Sequence, residues 1–208
     1  MREIIIQPEY YTDKWQYAHV YATIFADVCD DKIKLLELGI DGKGSLYMWR
    51  DYFKNGEIYG VDIKKVEDGG GVNTFRCDQS DVRGLEKTLK VYAPFDIIID
   101  DASHIGALSK ISFDHLFFNM LKPGGMYVIE DWGTGYWDVW GDGKNITKCD
   151  VVGDRIVSHD YGMVGFLKSL VDYIGVRSAT CKHGVPPQRN SQIREIRIID
   201  SIAIIYKK

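Results

Sequence analysis

Cysteine is scarce in this chain of 208 residues, and the four present, Cys29, Cys77, Cys149 and Cys181, form no C-x-x-C pair. Neither a thiolate zinc site nor a disulfide framework is indicated, and reduced thiols suit a cytoplasmic setting. Blocks of lysine and arginine are also missing, with 26 basic residues scattered against 30 acidic ones for a net charge of −4. A chain of that balance has no stripe with which to track phosphates, which disfavours nucleic acid as a partner. No apolar run approaches the roughly 18 residues of a membrane span, and the N-terminal stretch 1–8 lacks the apolar centre of a signal peptide. A soluble protein with no membrane partner is expected. There is no internal repeat or low-complexity tract, and the length suits one domain, 1–208, around a single core.

What is present is alternation. Residues 1–30 read as a helical lead-in, because Trp15, Ala18, Ala22, Phe25 and Ala26 recur at helical spacing from a Thr12/Asp13 start. Short β-like runs then alternate with helical stretches. The strands fall at Lys34–Leu38, Glu57–Val61, Thr74–Arg76, Asp96–Asp100 and Met126–Ile129, and the helices near Ser45–Phe53, Val82–Val91 and Leu108–Met120. The last of these helices ends at the turn Lys122-Pro123-Gly124-Gly125. Alternation of this kind specifies an α/β protein with a parallel sheet covered by helices. Residues 132–160 read as a long loop over a site, since loops of that length in compact domains are usually functional. A helix at Met163–Ile174 follows, then a closing hairpin, Ile193–Ile199 and Ile202–Tyr206, turned at Asp200-Ser201.

Two clusters of residues carry chemistry. The first is Glu37-Leu38-Gly39-Ile40-Asp41-Gly42-Lys43-Gly44-Ser45, a glycine-rich turn between strand and helix where the backbone can approach a nucleotide-like ligand. Its glycine order differs from the G-x-G-x-x-G of dinucleotide-binding proteins, which disfavours a nicotinamide-dependent oxidoreductase. A plain tight turn would use similar residues. Asp62, at the end of the next strand, is placed to accept both hydroxyls of a ribose. Asp78, Gln79 and Ser80, after the third strand, offer donors and acceptors for an adenine edge; singly they also suit a turn or a helix cap.

The second cluster is Asp101-Ala102-Ser103-His104, which follows the apolar run Ile97-Ile98-Ile99 and is answered by Val128-Ile129-Glu130-Asp131. Two strands of one parallel sheet would deliver these carboxylates to the edge where ligands of open α/β sheets bind. Such a set suits a hard divalent cation, and a histidine three residues after the first carboxylate suits a general base. Strand-end caps are the plain alternative for either acidic pair alone. Asp100, facing the other way from Asp101, reads as a support for cofactor or metal ligands. Trp132, Trp137 and Trp140 follow closely, and their aromatic faces suit a sugar or a planar aglycone, though some of them would serve to pack the loop. His159 could reach an acceptor but reads more simply as a surface residue.

Taken together, these blocks resemble the class I S-adenosylmethionine (SAM)-dependent methyltransferases, and within them the metal-dependent sugar O-methyltransferases of macrolide biosynthesis. The resemblance is carried by Thr12-Asp13-Lys14, Leu35-Leu36-Glu37-Leu38-Gly39, Tyr59-Gly60-Val61-Asp62, Asp78-Gln79-Ser80-Asp81, Asp100-Asp101-Ala102-Ser103-His104, Leu121–Asp131 and Thr134-x-Tyr136-Trp137. It implies a Rossmann-like fold with a seven-stranded doubly wound sheet and an antiparallel last strand. It further implies SAM held by Glu37, Gly39, Gly42, Ser45, Asp62, Asp78, Gln79, Ser80 and Asp100, and magnesium held by Asp101, Glu130 and Asp131. His104 would be the base, assisted by Asp101, and Trp132, Thr134, Tyr136 and Trp137 would meet the acceptor. The implied partner is a small-molecule hydroxyl acceptor, a sugar or glycoside, and the implied assembly a homo-oligomer. Alternatives are a phenol or catechol acceptor, since catechol-type enzymes share this metal pattern, and a catalytically silent SAM-binding partner. The chain departs from the pattern at Ala102 and Cys77, where glycine is usual, and macrolide enzymes carry an N-terminal region with no counterpart in these residues.

Overall fold

The computed structural model describes residues 2–145, 151, 152, 155, 156, 158–181 and 185–208. Part of the expected 132–160 loop, together with Cys149 and His183, lies outside the described residues. The chain divides into two compact units, Met1–Ala102 and Ser103–Lys208.

The first unit is built on four parallel strands in the order β3-β2-β1-β4: β1 Lys34–Leu38, β2 Glu57–Asp62, β3 Asn73–Arg76 and β4 Phe95–Asp100. Leu35, Leu36 and Leu38 on β1 and Ile97, Ile98 and Ile99 on β4 are all buried, as the unbroken apolar runs of parallel strands require. Helices α1 Ala18–Ile24, α2 Gly44–Tyr52 and α3 Val82–Leu89 complete the unit. Trp49 on α2 is fully buried and meets Tyr21 and Phe25 edge-on, with ring centroids 4.9 and 5.9 Å away. Removing such a side chain leaves a cavity costing about 3–5 kcal/mol. The lead-in is less regular than its periodicity predicts. Lys14–Gln16 forms a 3-10 turn and regular helix begins only at Ala18.

The second unit contains α4 Gly106–Asn119, β5 Leu121–Glu130, the two-residue strands β6 Val151–Val152 and β7 Arg155–Ile156, α5 Gly162–Ala179, β8 Ile193–Ile199 and β9 Ile202–Lys207. Its main strands run in the order β5-β9-β8, and β9, the last strand, is antiparallel to both neighbours. With the first unit's four, they make up the seven strands of the mixed sheet expected of the sequence. The residues expected as a turn, Lys122–Gly125, fall within β5, with Gly124 at φ +79°, and the ladder with β9 begins at Met126. The predicted Trp132 loop contains 3-10 turns at Trp132–Tyr136 and Gly143–Asn145. Among the described residues, no helix is long and apolar enough to cross a membrane.

Candidate active site

In the first unit the centre of the site is a buried carboxylate. Glu37, near the end of β1, is 0% exposed and accepts hydrogen bonds from Ser45 Oγ at 2.7 Å and Trp49 Nε1 at 3.2 Å. Both donors lie on α2, so the helix that follows the glycine loop is tied to the strand before it. Lys14, only 1% exposed, places its ammonium 3.4 Å from Glu37 Oε1 and in close contact with Asp101 Oδ2. Burial pushes the Glu37 carboxyl up to about 7, against the opposing pull of Lys14. Lys14 stood in a matching block of the sequence, but nothing there gave it a place in the site.

The glycine loop is held from below. Asp62 Oδ2 accepts the backbone N–H groups of Ile40 and Asp41 at 3.0 and 3.1 Å, and Oδ1 that of Lys64 at 2.8 Å. Asp62 therefore orients the loop backbone. Gly39 has φ +80°, and a Cβ there would run into the Asp101 carbonyl, so this position must be glycine for the two strand ends to approach. Gly42, by contrast, has nothing within 4 Å of where a Cβ would stand, which leaves room for a ligand. Asp78 Oδ1 accepts from Ser80 N at 2.8 Å and Ser80 Oγ at 2.7 Å, holding its carboxyl below the usual range. Gln79 Nε2 donates to Asp100 at 3.2 Å, and both side chains are buried. The predicted cofactor residues of this unit are thus linked to one another or to the loop backbone.

The second unit brings His104 and Asp131 together, with Nε2 and Oδ2 3.9 Å apart. Both have left-handed backbone, φ 51° and 50°. That conformation is uncommon outside glycine, although His and Asp tolerate it better than most residues. Glu130, the last residue of β5, is buried. Trp140 lies against the His104 ring with centroids 5.8 Å apart. Of the predicted acceptor residues, Trp137 is 57% exposed and packs edge-on to Trp140. Thr134 is buried and donates to the Asp131 carbonyl at 2.8 Å, while Trp132 Nε1 donates to the Ile199 carbonyl at 3.1 Å. Those two hold the loop in place. Tyr136 meets Trp132 on one side and His159 on the other.

Within the second unit, the adjacent carboxylates of Glu130 and Asp131 are hard oxygen donors, a chemistry that suits magnesium or a similar divalent cation and not a thiophilic metal.

Strand content and these residues define the class I methyltransferase fold. No family model matches the chain. It is 36% identical over 182 residues to the mycinamicin VI 2''-O-methyltransferase of Micromonospora griseorubida, covering 81% of this chain and 43% of that protein. It is 34% identical over 211 residues to the 8-demethyl-8-alpha-L-rhamnosyl tetracenomycin-C 2'-O-methyltransferase of Streptomyces olivaceus, covering 95% of this chain and 52% of that protein. Among solved structures, the MycE methyltransferase of the mycinamycin biosynthetic pathway in complex with Mg, SAH and mycinamycin VI matches with a TM-score of 0.76 and 32% identity, over 96% of this chain and 51% of that one. The chain is a homologue of the sugar O-methyltransferases, and spans about half the length of the curated relatives it matches.

Proposed function

We propose that the 208 residues act as one methyltransferase domain that transfers the methyl group of SAM to a hydroxyl of a sugar or glycosylated natural product, with magnesium as the assisting cation. What carries this reading is His104, 3.9 Å from the Asp131 carboxylate, in a chain related to sugar O-methyltransferases. In this reading the loop residues Glu37, Gly39, Gly42 and Ser45, with Asp62, Asp78, Gln79, Ser80 and Asp100, hold the cofactor. Asp101, Glu130 and Asp131 hold the cation. When bound, a hard cation lowers the pKa of a coordinated hydroxyl and the sulfonium offers an activated methyl group.

The chain's own contribution is proton removal and positioning. His104 Nε2 takes the proton of the acceptor hydroxyl, the step in which a positioned base contributes most. Glu37, Ser45 and Trp49 fix the start of α2, so the cofactor loop is ordered before the ligand arrives and less freedom is lost on binding. Trp137 presents an exposed aromatic face for the acceptor, alongside Tyr136, Thr134 and Trp132. The reading places a homo-oligomer in the cytosol acting on small molecules; the acidic charge balance disfavours a nucleic-acid partner and the free Cys29, Cys77 and Cys181 suit the compartment.

Calorimetric titration with SAM, in magnesium and in excess chelator, followed by a glycoside acceptor, tests the reading. SAM should bind in both buffers and methyl transfer should require magnesium. Absence of SAM binding in either buffer overturns it.

A further inference from the structure

Asp142 had no assigned place in the sequence, yet it is 4% exposed, and one oxygen, Oδ2, accepts the backbone N–H of Gly106 at 2.8 Å and of Met163 at 2.7 Å. These amides open α4 and α5, neither of which is capped by the side chain of its own N-cap residue, Ile105 or Tyr161. The unpaired N–H groups of a helix start carry partial positive charge, so a single carboxylate serves both. Glycine makes the approach possible: a Cβ at Gly106 would run into the Gly162 backbone, and one at Gly162 into Asp142 itself.

The loop carrying Asp142 is closed on itself by Trp140 N to the Trp137 carbonyl and Lys144 N to the Trp140 carbonyl, each at 3.0 Å. Trp140 precedes Asp142 by two residues, just as His104 precedes Gly106 by two. The same two segments are therefore joined twice, by the carboxylate on the Gly106 amide and by the Trp140 ring on His104. We propose that Asp142 is a positioning residue whose carboxylate latches the Trp137–Lys144 loop onto the starts of α4 and α5 and so fixes Trp140 against His104. The catalytic importance of that placement rests on the function proposed above, whereas the latch itself does not.

The first test needs no turnover. The imidazole C–H resonances of His104, assigned by comparison with His104→Ala, report the ring current of Trp140. In Asp142→Ala they should move toward unstructured values. In Asp142→Asn they should stay, because one amide oxygen can still accept both N–H groups. A folded alanine variant with unmoved resonances overturns the latch. If that variant does not fold, hydrogen exchange of the native protein decides: the Gly106, Met163, Trp140 and Lys144 amides should exchange at a common rate, and loop amides exchanging far faster than Gly106 and Met163 overturn it. In turnover, Asp142→Ala should raise acceptor KM about tenfold while SAM affinity is unchanged, with recovery in Asp142→Asn. Unchanged KM removes the positioning role. A native protein that methylates no glycoside refutes the proposed function, while the resonance still decides the latch.

Discussion

In the first unit Glu37, Gln79 and Asp100 are buried and engaged with side-chain partners, whereas in the second His104 and Asp131 are half-buried on left-handed backbone, Trp137 and Trp140 are exposed, and Glu130 and Thr134 are buried. Lys14, Ser45 and Trp49 complete the first set. The contrast has a physical sense. A small polar ligand of one shape is best held by groups already oriented by partners inside a low-dielectric interior. A bulky acceptor needs open aromatic surface, and a base needs a fixed placement. The units thus show preorganisation by side-chain pairing in one case and by chain geometry in the other.

The contrast is broken most severely at His104. His104→Ala should lower turnover about 10²- to 10⁴-fold, the range for loss of a positioned base, while SAM affinity measured by calorimetry stays within about twofold. Equal losses in both would place His104 with the cofactor residues.

Lys14→Met strikes the other unit. Leaving Glu37 and Asp101 without their shared ammonium should cost about 3–5 kcal/mol, the range for breaking a buried ion pair. Thermal unfolding would show it as a fall of roughly 6–20 °C in Tm for a chain of this size. A shift near zero would mean that the cluster is not prebuilt.

Smaller effects sharpen the comparison. Asp62→Asn keeps only one of the two oxygens that hold Ile40, Asp41 and Lys64, and should weaken SAM binding about tenfold, as expected for losing a hydrogen bond to a charged acceptor. Trp137→Ala, at an exposed position, should leave unfolding free energy within about 0.5 kcal/mol, raise acceptor KM a few-fold and spare SAM affinity. An equal change in SAM affinity would remove the division between the two ends.

Much of the frame was legible from residue order. The strand runs at Lys34–Leu38 and Asp96–Asp100 agree with β1 and β4 to within one residue, because buried parallel strands need continuous apolar side chains and end at polar ones. That Asp100 and Glu130 close β4 and β5 was legible for the same reason. The lead-in was less so: helical spacing from Thr12 predicted a helix where Lys14–Gln16 forms a 3-10 turn, because the demand of two distant carboxylates for an ammonium outweighs local propensity. The long loop after Asp131 was expected without structure and carries two 3-10 turns, since its glycines and tryptophans show no period to read.

The sequence by itself therefore determined the order of strands and helices, the glycine loop and the acidic strand ends, all of which follow from spacings of a few residues. Tertiary structure alone decided that Lys14, a residue type usually left in water, is buried against a carboxylate 87 residues away, and that Asp142 holds an amide 36 residues before it. Charges and unpaired helix amides impose partners without imposing any spacing along the chain, so only the folded chain reveals which residues meet that need.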